Sequence, residues 1–159
     1  MKKYLLIFVL ALLVFACAKK YVPEKPQGRI APLKVALVSY QDVSKLGPRE
    51  VVALYFQSLK NESYDVMYSL VSDGFKQVEP SAKTSDEFRQ HMQLLYRAAT
   101  IDLIDASVSS QSQNEANVNY KIEIEKDGTR KLFTSSYILR KKANGWKFIN
   151  PYGDNVDNT

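Results

Sequence analysis

Hydrophobic positions fall into two regimes that meet near Thr100. From Gly47 to Ala99 apolar residues recur every three or four positions, and beyond Thr100 they recur every second position. The first regime predicts three helices. One opens at Gly47-Pro48, where proline suits the first helical position and Glu50 complements the N-terminal dipole. Val51, Val52, Tyr55, Phe56 and Leu59 follow at helical spacing as its buried face. A second helix is capped by Ser63, carries Val66, Met67, Leu70 and Val71, and is expected to stop at Asp73-Gly74, which closes a helical hairpin. Thr84-Ser85-Asp86-Glu87 matches the capping-box pattern and starts a third helix, with Phe88, Met92, Leu95 and Ala99 as the predicted stripe.

The second regime predicts strands over Ile101–Ser109 and Ala116–Lys126. In the latter, Val118, Tyr120, Ile122 and Ile124 alternate with Asn117, Asn119, Lys121 and Glu123. Asp127-Gly128 is a two-residue hairpin turn that sets Ile122 opposite Phe133, Val118 opposite Tyr137 and Glu125 opposite Arg130. A second turn at Asn144-Gly145 brings Leu139, Trp146 and Phe148 to the face that holds Phe133 and Tyr137. The other face carries Asn119, Lys121, Glu123, Arg130, Thr134, Ser136, Arg140 and Lys147 and is expected to be wet. Helices followed by strands imply an α+β fold, with the helices on one side of an antiparallel sheet.

The N-terminal stretch changes where this domain is expected to work. Lys2 and Lys3 precede an uncharged apolar run from Tyr4 to Ala16, too short for a spanning helix and the length of a signal-peptide core. Val14-Phe15-Ala16-Cys17 resembles the lipobox of bacterial lipoproteins, although Phe15 departs from its small residue. That resemblance implies a signal peptide over residues 1–16, diacylation of Cys17 on sulfur, and an exported domain held on the extracytoplasmic side of the cell membrane or outer membrane. The alternative is an ordinary secretory signal with an incidental cysteine. Residues 17–32 then form a tether, with Lys19 and Lys20 beside the anchor and Pro23, Pro26 and Pro32 holding half of the chain's six prolines. The domain occupies residues 33–159, and its first short β-prone run, Leu33 to Tyr40, is left unassigned. After removal of the signal, 20 basic residues face 17 acidic ones, too weak an excess to argue for nucleic acid. With Cys17 acylated, no thiol remains for a disulfide, a cysteine zinc site or a cysteine nucleophile.

Pro48-Arg49-Glu50-Val51-Val52, the tract from Tyr55 to Leu70, a third helix and a meander closing on Gly145-Trp146-Lys147-Phe148 together resemble the nuclear transport factor 2-like fold, also called cystatin-like or ketosteroid-isomerase-like. The likeness spans roughly Val43 to Tyr152 and is strongest to small bacterial lipoproteins of unknown function that carry this fold. It implies a curved sheet wrapped around the helices as a cone. The fold hosts enzymes, transport factors and assembly modules alike, so it implies no activity.

The cone lining is where chemistry would reside. Its candidates are Tyr120, Ile122, Phe133, Tyr137, Leu139, Trp146 and Phe148 from the sheet, with Tyr55, Tyr64, Tyr68 and Tyr96 from the helices. None is a general base at neutral pH, and enzymes of this fold need an inward carboxylate or histidine. Asp102, Asp105 and His91 are the residues available. Asp102 shares strand parity with Ile104, Ala106 and Val108 and either points into the cone or caps the strand end in solvent. His91 sits one position from the Met92 stripe as a boundary residue, without a second histidine to complete a metal site. There is no phosphate-binding glycine loop and no nucleophile motif, so no cofactor is called for. Packing accounts for the tyrosines better than a pocket does. The basic run Arg140-Lys141-Lys142, with Lys147 across the hairpin, either faces phosphate-bearing lipid or wall polymer or, with more weight, is a solvated turn. The reading is a non-catalytic binding or assembly module whose partner is an envelope protein or a small apolar ligand, with homodimerisation through the outer sheet face implied by the resemblance. The competing reading is an isomerase or dehydratase with Asp102 as base and Tyr120 or Tyr137 as oxyanion donor.

Overall fold

The computed structural model describes residues 40–153. The signal peptide, Cys17, the tether and the unassigned run before Tyr40 lie outside the described residues. Four helices and four strands follow in order: α1 Pro48–Lys60, α2 Tyr64–Leu70, α3 Asp73–Val78, α4 Ser85–Leu95, β1 Ala99–Gln111, β2 Glu115–Lys126, β3 Thr129–Lys142 and β4 Gly145–Phe148. The strands form one antiparallel sheet in the order β1-β2-β3-β4, and the α+β arrangement expected from the hydrophobic pattern is the one observed.

α1 is the centre of the domain. Val51, Val52, Ala53, Leu54, Phe56, Ser58 and Leu59 are all buried, so more than the single predicted stripe is covered, because α1 packs on β1 and also touches α2, β2 and β4. Met67 and Leu70 of α2 and Phe88 and Met92 of α4 complete the helical side of the core. The capping box at α4 forms as expected: Thr84 N donates to Glu87 Oε2 at 3.0 Å, and Glu87 N donates to Thr84 Oγ1 at 3.2 Å.

Three local expectations are corrected. Asp73-Gly74 does not end a helix. Val71 leaves the helical path to make a parallel bridge with Phe148, Ser72 Oγ then accepts from Phe75 N at 3.0 Å, and Asp73 begins α3. The chain after β4 packs on the start of α3, and this needs glycine at 153, where a Cβ would lie 2.5 Å from the Gly74 carbonyl. α4 stops at Leu95, which is 57% exposed, and Ala99 belongs to β1, so the predicted stripe is only half as long. The β3–β4 turn is Ala143-Asn144, with Lys142 paired to Gly145, one residue earlier than the Asn144-Gly145 turn expected. The face assignment survives this slip, because moving a two-residue turn by one position shifts the pairing by two and preserves parity. Gly145 has φ +104, and a Cβ there would come within 3.0 Å of Val43 O and Ser44 Cα, so its glycine serves the approach of the segment before α1.

The hairpin at Asp127-Gly128 has the predicted register, with Ile122 opposite Phe133, Val118 opposite Tyr137 and Glu125 opposite Arg130. Both turn residues have positive φ, 52° and 72°, as a hairpin turn matched to strand twist requires. β1 carries two irregularities, between Leu103 and Asp105 and between Val108 and Ser110. Bulges of this kind bend a strand and curve a sheet over its helices.

Candidate functional site

The inner face of the sheet meets α1 in a cluster of aromatic rings. Val118 opposite Tyr137 makes Tyr120 and Tyr137 diagonal neighbours on adjacent strands, and their rings stack at 4.6 Å with 16° between planes. Leu139 opposite Phe148 likewise makes Phe148 the diagonal neighbour of Tyr137, edge-on at 4.8 Å. From α1, Tyr55 reaches Phe148 at 4.8 Å and Tyr137 at 6.0 Å, while Phe56 reaches Tyr120 at 5.1 Å and Tyr137 at 6.3 Å. Five rings from three strands and one helix are thus in mutual contact, with spacings in the favourable range for aromatic pairs.

Burial pushes the Tyr55 and Tyr137 hydroxyls far above the ordinary tyrosine value of 10.0, and the neighbouring tyrosines push them further. A hydrogen bond with Tyr120 adds to the retention of the Tyr137 proton. Tyr96, which follows α4, is raised in the same sense, first by burial and then by Tyr120. The charged-group influences on Tyr55, Tyr96 and Tyr137 come from one another and from Tyr120, with no carboxylate or cation among them. At neutral pH this is a set of protonated hydroxyls that can donate or accept hydrogen bonds, and none of them can take a proton as a base. Beside Tyr96, a cleft of about 200 Å³ opens between Leu59, Lys60, Tyr64, Thr100 and Ile101.

The other pocket candidates lie elsewhere. Tyr68 packs on Phe88 at 5.7 Å and donates to Lys83 O at 3.3 Å. Trp146 is buried opposite Lys141. Phe133 lies on the inner-face parity but is 47% exposed near the hairpin tip. Phe56 is the member of the cluster that the sequence pattern assigned only to core. Its sequence signal was adjacency to Tyr55 on a stripe wide enough to bury both.

Asp102 does not share a face with Ala106. The irregularity after Leu103 breaks the alternation, so Ile101 and Ala106 are both buried while Asp102 stays 43% exposed and pairs with Lys60 Nζ. Asp105 and His91 are exposed. Two residues expected on a wet face are covered instead: Arg140, whose Nη2 donates to Glu115 Oε2 at 3.0 Å, and Lys147, which is 7% exposed. The remaining members of that face are exposed or half-buried. Among the described residues, no group of three histidine, cysteine, aspartate or glutamate side chains is placed to hold a metal ion, and no helix is long and apolar enough to cross a membrane.

No protein-family model matches the chain, and no curated protein sequence does either. Solved structures do. A SEC-C motif containing protein from Rhodopseudomonas palustris superposes at a TM-score of 0.50 with 12% identity over 65% of this chain and 75% of that one. A sec-c motif containing protein from Psychrobacter arcticus gives 0.50 and 11%, over 70% and 63%. An NTF-2 like protein of unknown function from Shewanella oneidensis gives 0.44 and 11%, over 62% and 88%. At such identities the likeness concerns the fold alone.

Proposed function

We propose that the chain is an exported, lipid-anchored protein of the cell envelope whose nuclear transport factor 2-like domain acts as a non-catalytic binding or assembly module. The observation that supports this most directly is the five-ring contact of Tyr55, Phe56, Tyr120, Tyr137 and Phe148. Rings from α1 and the sheet pack against one another, and the carboxylate considered as a base is engaged by Lys60 outside this cluster. Recognition is then carried by the exposed sheet. The outer face of β3 presents Leu132, Thr134, Ser136 and Ile138, with Leu132 57% and Ile138 38% exposed, as a surface for an envelope protein. In this reading Cys17 carries the acyl chains, and residues 18–32 give the domain up to roughly 45 Å of reach.

Native mass spectrometry of the full chain extracted from membranes tests both halves of the reading. The expected species begins at Cys17 with a diacylglycerol mass and co-purifies with a protein partner. Cys17→Ala is expected to leave an unprocessed precursor or a released product. Normal acyl-independent membrane retention of that variant would refute the anchor, and a stoichiometric small molecule turned over by the protein would refute the non-catalytic assignment.

A further inference from the structure

The sheet has two edges, and they are built differently. β1 carries two irregularities, a device that turns an edge strand away from pairing. On the other side β4 covers β3 only from Leu139 to Lys142, which leaves the rest of that edge open. From Thr129 to Ser136 every residue of β3 is exposed, the pairing with β2 is unbroken, and no proline interrupts the strand. The hairpin turn decides which backbone groups are free. Lys126 and Thr129 flank a two-residue turn as a hydrogen-bonded pair, so odd-numbered residues of β3 exchange bonds with β2 while even-numbered ones direct N–H and C=O to the far side. Ile149 N donates to Ile138 O at 3.2 Å, as this parity requires. Among the described residues, nothing bonds the backbone of Arg130, Leu132, Thr134 or Ser136 on that side.

We propose that this free edge pairs with the same edge of a second copy of the chain, antiparallel, with the two-fold axis at Phe133. Phe133 is the midpoint of the free stretch, so that register uses all of it and stops where Ile149 takes the Ile138 carbonyl. Even residues then face even residues, Arg130 against the partner's Ser136 and Leu132 against the partner's Thr134, and each pair exchanges two backbone hydrogen bonds. On the inner face Lys131 meets the partner's Ser135 and Phe133 meets the partner's Phe133, so no like charges stand opposite one another. Arg130 already has a carboxylate, Glu125, within its own chain. The neighbouring registers are worse. An axis at Lys131 sets two ammonium groups opposite each other, one at Leu132 leaves Ser136 facing the partner's turn, and one at Thr134 needs the Ile138 backbone that already bonds Ile149. Phe133, 47% exposed in the single chain, gains an aromatic partner at the axis. The contact is small, so the pair dissociates on dilution. The inference uses neither Cys17 nor an envelope partner, and the outer side chains of β3 stay available in the pair.

The test is disulfide trapping of the full chain in intact cells with a diffusible oxidant. Lys131→Cys and Ser135→Cys chains produced together are expected to give a linked dimer, because the two positions form a non-hydrogen-bonded pair with Cα atoms about 4.5 Å apart, within disulfide reach. Either variant alone is expected to give none above the parent chain, since like positions lie about 13 Å apart along the ladder. Phe133→Lys added to both chains should reduce the trapped dimer tenfold or more by setting like charges at the axis, and Ile138→Lys, on the outer face, should leave it unchanged. If Phe133→Lys does not fold, as judged by circular dichroism, the mixed cysteine variants decide. Absence of dimer from the mixture, equal trapping by either variant alone, or loss with Ile138→Lys overturns the edge pairing. Photo-cross-linking from benzoylphenylalanine at position 133 identifies the occupant: a product of twice the chain mass supports the second copy, and a product of any other mass assigns the edge to a different protein and overturns self-pairing.

Discussion

The β2–β3 ribbon is one regular hairpin with two different ends. Near β4, Val118 and Leu139 are fully buried, while toward the Asp127-Gly128 turn Phe133, on the same face, is 47% exposed. Both ends place apolar residues at the same strand parity, Phe133 at one and Tyr137 and Leu139 at the other. The difference follows from lengths. α1 has 13 residues and spans about 20 Å at a helix rise of about 1.5 Å, whereas the 14 residues of β3 span about 46 Å at about 3.3 Å. One helix cannot cover such a strand, so the ribbon projects beyond the core. The lesson is that a periodic pattern names the face of a strand, and the partner element decides how much of that face is used.

The largest expected effect sets the two ends directly against each other. Leu139→Ala should cost about 2–5 kcal/mol of unfolding free energy, because a fully buried side chain leaves a cavity. Phe133→Ala should stay within roughly 1 kcal/mol, because water already reaches it. Equal losses in urea denaturation would mean that the hairpin end is covered in solution. A finer comparison uses the turn glycines. Gly145→Ala meets both a positive φ and backbone 3.0 Å away and should cost about 2 kcal/mol or more, while Gly128→Ala has open space and should cost only about 1 kcal/mol for its left-handed φ.

The smallest effect appears only in alkali. Tyr55 and Tyr137 have folded-state pKa values above the ordinary 10.0, so their contribution is fully present below pH 10 and is lost as pH rises from there toward the folded values. Each should remove up to about 1.4 kcal/mol per pH unit in that window, since one pKa unit corresponds to about 1.36 kcal/mol. Tyr137→Phe should flatten the fall between pH 10 and 11. An unchanged slope in thermal melts would show that Tyr137 is hydrated in the folded protein.

Much of this architecture was legible along the chain. The hairpin register followed from Asp127-Gly128, and the start of α4 followed from Thr84 and Glu87, since both signals act over a few bonds and need no tertiary partner. The same local logic failed at Asp73-Gly74, which begins a helix capped by Ser72 and does not end one, and at Asp102, where an irregularity in β1 broke the parity with Ala106 that strict alternation had assigned. Among the candidate site residues, the meeting of Tyr120, Tyr137 and Phe148 was implied by parity, whereas the arrival of Phe56 depended on how α1 rolls on the sheet.

Sequence by itself determined the order and type of every helix and strand but α3, because helical and strand periodicity, caps and two-residue turns are short-range properties of the chain. Only tertiary structure decided that Lys147, three residues from the tip of a turn and polar by every local measure, would be buried against Ser69 and share a cleft with Lys76 and Lys142. Residues so distant in sequence come together through the docking of α2 and α3 on the end of the sheet, and no pattern within any one segment carries that information.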